Sequence, residues 1–275
     1  MVAQSSQQKV LVVGATGATG KYVVAKLLAQ KIPTKVIVRS KERFLGLLPL
    51  EESNAESYDE KLLTVREASL LDLSDEEIDQ QVSDCTVVIS CLGHNLTFSG
   101  IWGHPRRLVS DAATKLTQAM IKASKASKSK TLPKFILMGS DGVANPDGTD
   151  DERSFSERTI LSLLRLLIPP HVDNEMAAAY LANTLGTDCA SLEWTIVRPT
   201  DLVDESAIKD YQLFDKPQGS LFGSGQATRS NVAQYMVDLV IDKNDLWKQY
   251  KFKMPVLHDG PAAKDDKEQE EAVAK

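Results

Sequence analysis

The segment that most limits what this chain can fold into runs from Val10 to Leu28, VLVVGATGATGKYVVAKLL. A β-branched and leucine run, Lys9 to Val13, meets three evenly spaced glycines, and a helical pattern follows from about Ala18 to Gln30. The run reads as a strand buried on both faces, because a half-exposed strand would alternate polar and apolar residues. Gly14, Gly17 and Gly20 allow a sharp turn, close backbone approach and tight helix–strand packing. A helix that opens just after such a turn offers unpaired N–H groups and the positive end of its dipole, a setting that suits phosphate. The spacing is G-x-x-G-x-x-G, not the common G-x-G-x-x-G, so the strand–turn–helix context carries the signal. The turn residues Gly14, Thr16, Gly17, Ala18, Thr19 and Gly20 are therefore candidates to cradle a pyrophosphate. The competing reading is a turn whose glycines serve packing alone.

The same rhythm continues along the chain. Strands are predicted at Thr34–Val38, around Leu62–Val65, and at Thr86–Cys91, Lys134–Met138 and Trp194–Val197, with an amphipathic helix from Arg107 to Ser124. Strands alternating with helices predict an α/β fold: a Rossmann-type doubly wound parallel sheet with helices on both faces. Two segments break the rhythm. Residues 145–170 form an expected lid insertion: acidic turns, a capping box at Ser154 to Glu157, then the apolar helix TILSLLRLL stopped by Pro169 and Pro170. Residues 200–256 form an expected small C-terminal substrate-side lobe, with SLFG and YKFKMPV as strands around the helix NVAQYMVDLVI. With 275 residues, 42% of them hydrophobic, the chain can bury one large core. The expected organisation is a disordered leader (1–8), one domain (9–256) and a charged, disordered tail (257–275).

Charge and composition narrow the partners. A net charge of -6 argues against binding nucleic acid, which needs clustered cations. Three cysteines without ligand spacing predict reduced thiols and no metal. No apolar run is long enough to span a bilayer, and MVAQSSQQK lacks the features of a secretory signal. The expectation is a cytoplasmic protein, monomer or homodimer, acting on a small-molecule substrate. The end of the second strand, VIVRSKERF, points to a particular dinucleotide. An NAD site places an acid there for the ribose hydroxyls; Arg39, followed by Ser40 and Arg43, instead suits the 2′-phosphate of NADP. A plain solvated loop is the other reading of these charges.

VVGATGATG, VIVRS, SCLG, VSDAATKLTQAMIKASK, FILMGSDGV and WTIVRPTDL, in this order, resemble the NmrA-like, atypical branch of the short-chain dehydrogenase/reductase superfamily, over about Lys9 to Val256. The resemblance implies a Rossmann-type domain with NADP along the carboxyl ends of its strands. It implies Asp72 and Leu73 beside the adenine, Cys91, Leu92 and Gly93 along the ribose and pyrophosphate, and Pro199 and Thr200 near the nicotinamide. It also matches Ser140 to the superfamily's serine that polarises a substrate carbonyl.

Typical members of the superfamily carry a catalytic Tyr with a Lys four residues later. Tyr22 and Lys26 have that spacing but sit on the helix after the glycine turn, so they read as a surface pair. No other tyrosine is followed by lysine at that distance. Where the resemblance would place the pair, the chain reads His171-Val-Asp-Asn-Glu175. His171 could supply a proton near neutral pH, and Glu175 could orient it or contact the ribose. Alternatively, Asp173 and Glu175 simply favour the positive end of their helix. Arg106 and Arg107 start a helix with cations, at the end where anions are preferred, which points to an acidic group nearby, a phosphate or a substrate carboxylate; the other reading is an exposed pair held by neighbouring acids. His94 and His104 flank NLTFSGIWGH, a loop expected over the cleft, and read as loop packing. Two functions follow: an NADP-dependent reductase passing hydride to a small hydrophobic acceptor, or a non-catalytic NADP(H) sensor acting through a protein partner.

Overall fold

The computed structural model describes residues 8–49, 59–94, 103–127, 129, 131–204, 210–219 and 225–260. Six parallel strands form the body of the sheet: β1 (Val10–Val13), β2 (Thr34–Val38), β3 (Leu63–Glu67), β4 (Val87–Ser90), β5 (Lys134–Met138) and β6 (Glu193–Pro199). Two more strands extend it, β10 (Val256–Asp259) parallel to β6 and β8 (Tyr211–Phe214) antiparallel to β10. The order is β3-β2-β1-β4-β5-β6-β10-β8. Separately, β7 (Asp201–Val203) pairs with β9 (Gln226–Thr228).

Successive strand residues point to opposite faces, so each apolar strand feeds two cores. Val10, Val12, Val36 and Ile89 pack beneath α1 (Gly20–Ala29) and α7 (Arg229–Val240). Leu11, Val13, Val88, Phe135 and Ile196 pack on the other face, beneath α3 (Asp75–Val82), α4 (Leu108–Ala126) and α6 (Pro169–Ala179). Burial on both faces is why β1 and β4 read as unbroken apolar runs.

Several expectations change in detail. Tyr22 and Lys26 are buried rather than on the surface, because α7 lies across α1 and Tyr22 joins that core. Pro169 and Pro170 do more than stop α5 (Phe155–Leu167); they occupy the first turn of α6, where a missing N–H costs nothing. The YKFKMPV strand is not formed. Tyr250 ends the short helix α8 (Leu246–Tyr250), and the strand begins at Val256 and reaches Asp259, past the boundary composition had suggested. The proposed SLFG strand and most of the aromatic loop after His94 lie outside the described residues.

The lid insertion is tied down by one side chain. Arg198, in β6, is fully buried. Its guanidinium donates to Asp150 Oδ2 and Oδ1 at 2.6 and 3.1 Å, and to the carbonyls of Met254, Val143 and Asp215. One buried cation thereby joins the sheet to the start of the insertion and to the C-terminal strands.

Candidate functional site

The crossovers from β1 and β4 leave in opposite directions along the sheet, and a crevice opens outside the carboxyl ends of strands at such a switch point. A cavity of about 710 Å³ lies there. Gly14, Thr16 and Gly17 line it at the end of β1, Arg39 and Arg43 after β2, Asp72 after β3, and Cys91, Leu92, Gly93 and His94 after β4, with His104, Pro105 and Leu108 alongside. Residues predicted from separate stretches of sequence thus share one cleft.

Packing accounts for two of the glycines. Gly14 has φ +77°, and a Cβ there would come within 2.5 Å of the Cys91 backbone. A Cβ on Gly20 would lie 2.2 Å from the Gly14 carbonyl oxygen. The turn therefore presses against the β4 loop and against its own helix, while its remaining donors stay available. Among the described residues, no acceptor meets the amide N–H of Thr16, Ala18 or Thr19. Cys91 contributes backbone to the wall, and its thiol turns inward to Met236 Sδ at 3.8 Å. Burial pushes that thiol up to about 12, so it is an inert core group.

Other predicted residues take different places. Ser40 caps α2 (Lys41–Leu47) by accepting from Arg43 N at 3.2 Å. Leu73 packs into the core, and its carbonyl accepts from Lys115 Nζ. Pro199 and Thr200 stand beside Ser140, since Asp141 N donates to the Pro199 carbonyl at 3.1 Å, but the cavity does not reach them. Ser140 Oγ accepts from Gly142 N at 3.2 Å, a local turn contact. His171 and Glu175 lie on α6 outside the cavity lining. Glu175 is gripped by Arg165, with Nε at 2.9 and 3.0 Å and Nη2 at 2.7 Å. His171 Nε2 comes within 3.3 Å of Glu175 Oε1, an ion-pair approach without a hydrogen bond. Burial holds its imidazole below the ordinary histidine range.

The start of α4 is served by Asp173, which pairs with neither Arg106 nor Arg107. This side chain, 1% exposed, reaches across from α6 and caps α4 from outside. Val109 and Ser110 donate backbone N–H to it at 2.7 and 3.0 Å, and the Ser110 hydroxyl at 2.6 Å. His94 Nε2 meets Oδ2, the oxygen that also accepts from Val109, at 2.8 Å. Arg107, the residue at the cap position, makes no side-chain cap.

A second cavity, about 580 Å³, opens at the amino ends of the strands, beside Pro33, Cys85 and Pro133, and contains none of these residues. Among the described residues, no cluster of His, Cys, Asp and Glu could hold a metal ion, and no helix is long and apolar enough to cross a membrane.

A doubly wound parallel sheet with a glycine turn at its switch point defines a dinucleotide-binding α/β protein. The chain belongs to the NAD(P)H-binding family, whose model matches residues 14–243. No curated protein sequence matches it. Among solved structures, the oxidoreductase ylbE from Lactococcus lactis is 20% identical, with 97% of each chain covered and a TM-score of 0.62. A wide-type short-chain dehydrogenase/reductase from Veillonella parvula, solved in complex with NADP, is 16% identical over 94% of this chain and 97% of its own, with a TM-score of 0.61. ChuY, an anaerobilin reductase from Escherichia coli, is 17% identical over 94% of this chain and 100% of its own, with a TM-score of 0.59. These likenesses are of fold. The cleft fits the family's ligand: its volume lies within the usual range for cofactor sites, and unpaired amides stand at the start of a helix.

Proposed function

We propose that the protein is an NADP-dependent oxidoreductase that reduces a small, hydrophobic acceptor without a Tyr-x-x-x-Lys pair. The observation that carries the coenzyme choice is the pair Arg39 and Arg43 at the β2 end of the cleft. Neither guanidinium has an ion-pair or hydrogen-bond partner among the described residues, and both line the cavity. A guanidinium that is unpaired among the described residues is available to a 2′-phosphate, for which bidentate guanidinium contacts are strong.

In this reading the N–H groups of Thr16, Ala18 and Thr19 hold the pyrophosphate, Asp72 and the neighbouring backbone border the adenine, and Cys91 to Gly93 border the ribose. NADPH, when bound, supplies the hydride. Ser140, beside Pro199 and Thr200, keeps its place as a candidate to polarise the acceptor carbonyl. We assign His171 and Glu175 to holding α5 against α6 through Arg165. The complex of the Veillonella protein with NADP and the reductase named among the fold neighbours favour this reading.

Titration with NADPH and NADH tests it. Arg39→Asp should weaken NADPH at least tenfold while leaving NADH within about threefold, since one lost charge-assisted contact corresponds to about 1.5–3 kcal/mol. Equal losses for the two coenzymes would refute the assignment. The sensor reading draws on α5, whose Phe155, Leu163, Leu166 and Leu167 are exposed and could meet a partner. Tight NADPH binding without turnover of quinones, flavins or aldehydes would favour it.

A further inference from the structure

We propose that His94, anchored by Asp173, is the proton donor of this site, in place of the missing tyrosine and lysine. The inference rests on the reductase reading above and adds to it a named proton source. His94 directly follows β4 and lines the cleft on the side of the glycine turn away from Arg39. A dinucleotide whose 2′-phosphate meets Arg39 and whose pyrophosphate meets the glycine turn extends its other end towards β4 and β5. His94 is thus the titratable side chain of the β4 loop on the hydride side of the cleft.

The geometry sets which nitrogen works. Asp173 offers only acceptor oxygens and is surrounded by donors: two amides, the Ser110 hydroxyl and His94 Nε2. Nε2 must therefore carry its proton towards Asp173, which leaves Nδ1 as the nitrogen free for proton transfer; among the described residues, Nδ1 has no hydrogen-bond partner, and His94 is one of the residues that line the cleft. With its ring 5% exposed and pinned at one end, His94 is held in one orientation. A carboxylate behind an imidazole fixes its tautomer and stabilises the imidazolium, as in acyl-transfer triads. Asp173 is the positioning residue: it also caps α4, so the ring is held by the same carboxylate that holds the helix.

The proposed step balances. The acceptor carbonyl gains hydride at carbon from the reduced nicotinamide, which is oxidised, and its electron pair moves to oxygen. That oxygen takes the proton from Nδ1: the N–H bond breaks, an O–H bond forms, and imidazolium becomes imidazole. A proton taken up from the buffered solvent then restores the imidazolium at Nδ1, so that each turnover consumes one proton.

Two measurements test the relay. At a pH where the ring is neutral, two-dimensional NMR of the 15N-labelled imidazole should show the His94 proton on Nε2, and Asp173→Asn should mix the two tautomers. A ring found with its proton on Nδ1 overturns the relay whatever the coenzyme result. The second measurement uses NADPH with benzaldehyde as acceptor. His94→Gly should lower turnover roughly a hundredfold or more, within the span of general acid catalysis, leave the NADPH dissociation constant within about threefold, and regain turnover when imidazole is added. Turnover within a few-fold of wild type, or a loss that imidazole does not restore, overturns the relay while leaving the reductase reading in place. Wild-type protein that binds NADPH but reduces neither benzaldehyde nor other aldehydes, quinones and flavins overturns both.

Discussion

At the residue scale, two buried polar groups dominate. Arg198 is satisfied by a carboxylate and three carbonyls, so it is stable only as a complete set. Removing one partner of a buried pair leaves an uncompensated charge, which costs about 3–5 kcal/mol. Asp150→Ala should therefore lower the unfolding free energy by that much, read as a lower urea midpoint with no change in slope, whereas Arg39→Ala should leave the midpoint nearly unchanged. A small loss for Asp150→Ala would mean that the insertion is held by other contacts. His171 gives a pH prediction. Burial places its folded titration below the ordinary 6.5, so the unfolded chain takes up its proton first as pH falls. Its contribution to stability is then complete above about pH 6.5 and is lost as pH falls through the folded value. Stability measured at pH 8 and pH 5 should drop more in the wild type than in His171→Gln, and an identical drop would rule the residue out as a cause.

Helix α5 shows how one element can satisfy local rules yet keep an apolar face in solvent. Its capping box is formed, with Ser154 accepting from Glu157 N and Glu157 reaching back to Ser154 N. Leu161 is its one fully buried side chain among the described residues, while Phe155, Leu163, Leu166 and Leu167 remain exposed. Leu161→Ala should cost about 2–5 kcal/mol by opening a cavity. The double variant Leu163→Ser and Leu166→Ser should stay within about 0.5 kcal/mol per site, as surface changes do. Calorimetry on both checks the assignment of faces; comparable losses would place the exposed leucines in a contact absent from the isolated chain. Helix α1 illustrates the opposite case. A tyrosine and lysine one turn apart look like a surface pair, but α7 covers that face and buries both.

For the whole molecule, the site exists because the sheet changes winding direction between β1 and β4, so the glycine turn, the cation after β2 and the β4 loop meet at one edge. Occupying that edge should stabilise the entire fold by mass action. At a hundred times its dissociation constant, NADPH should add about 2.7 kcal/mol, a rise of roughly 5–10 °C in midpoint for a domain of this size. NADH at the same concentration should give a smaller rise, and differential scanning fluorimetry would show it. Equal rises would count against a role for Arg39 in coenzyme choice.

Local pattern was enough to specify the parallel sheet and most of its strands. Each strand needs an apolar run of its own, and each turn needs glycine at its own position, so these signals lie within a few residues. The same holds for the glycine turn, Arg39 and Arg43, and the capping box of α5. Tertiary structure alone decided the polar linkages. Asp173 meets His94 across 79 residues and Val109 across 64, and Arg198 meets Asp150 across 48. No periodicity encodes a contact between elements that distant. Burial is also a relation between surfaces: whether Tyr22 or Leu163 faces solvent depends on what lies above it, and a single helix carries no record of its neighbour.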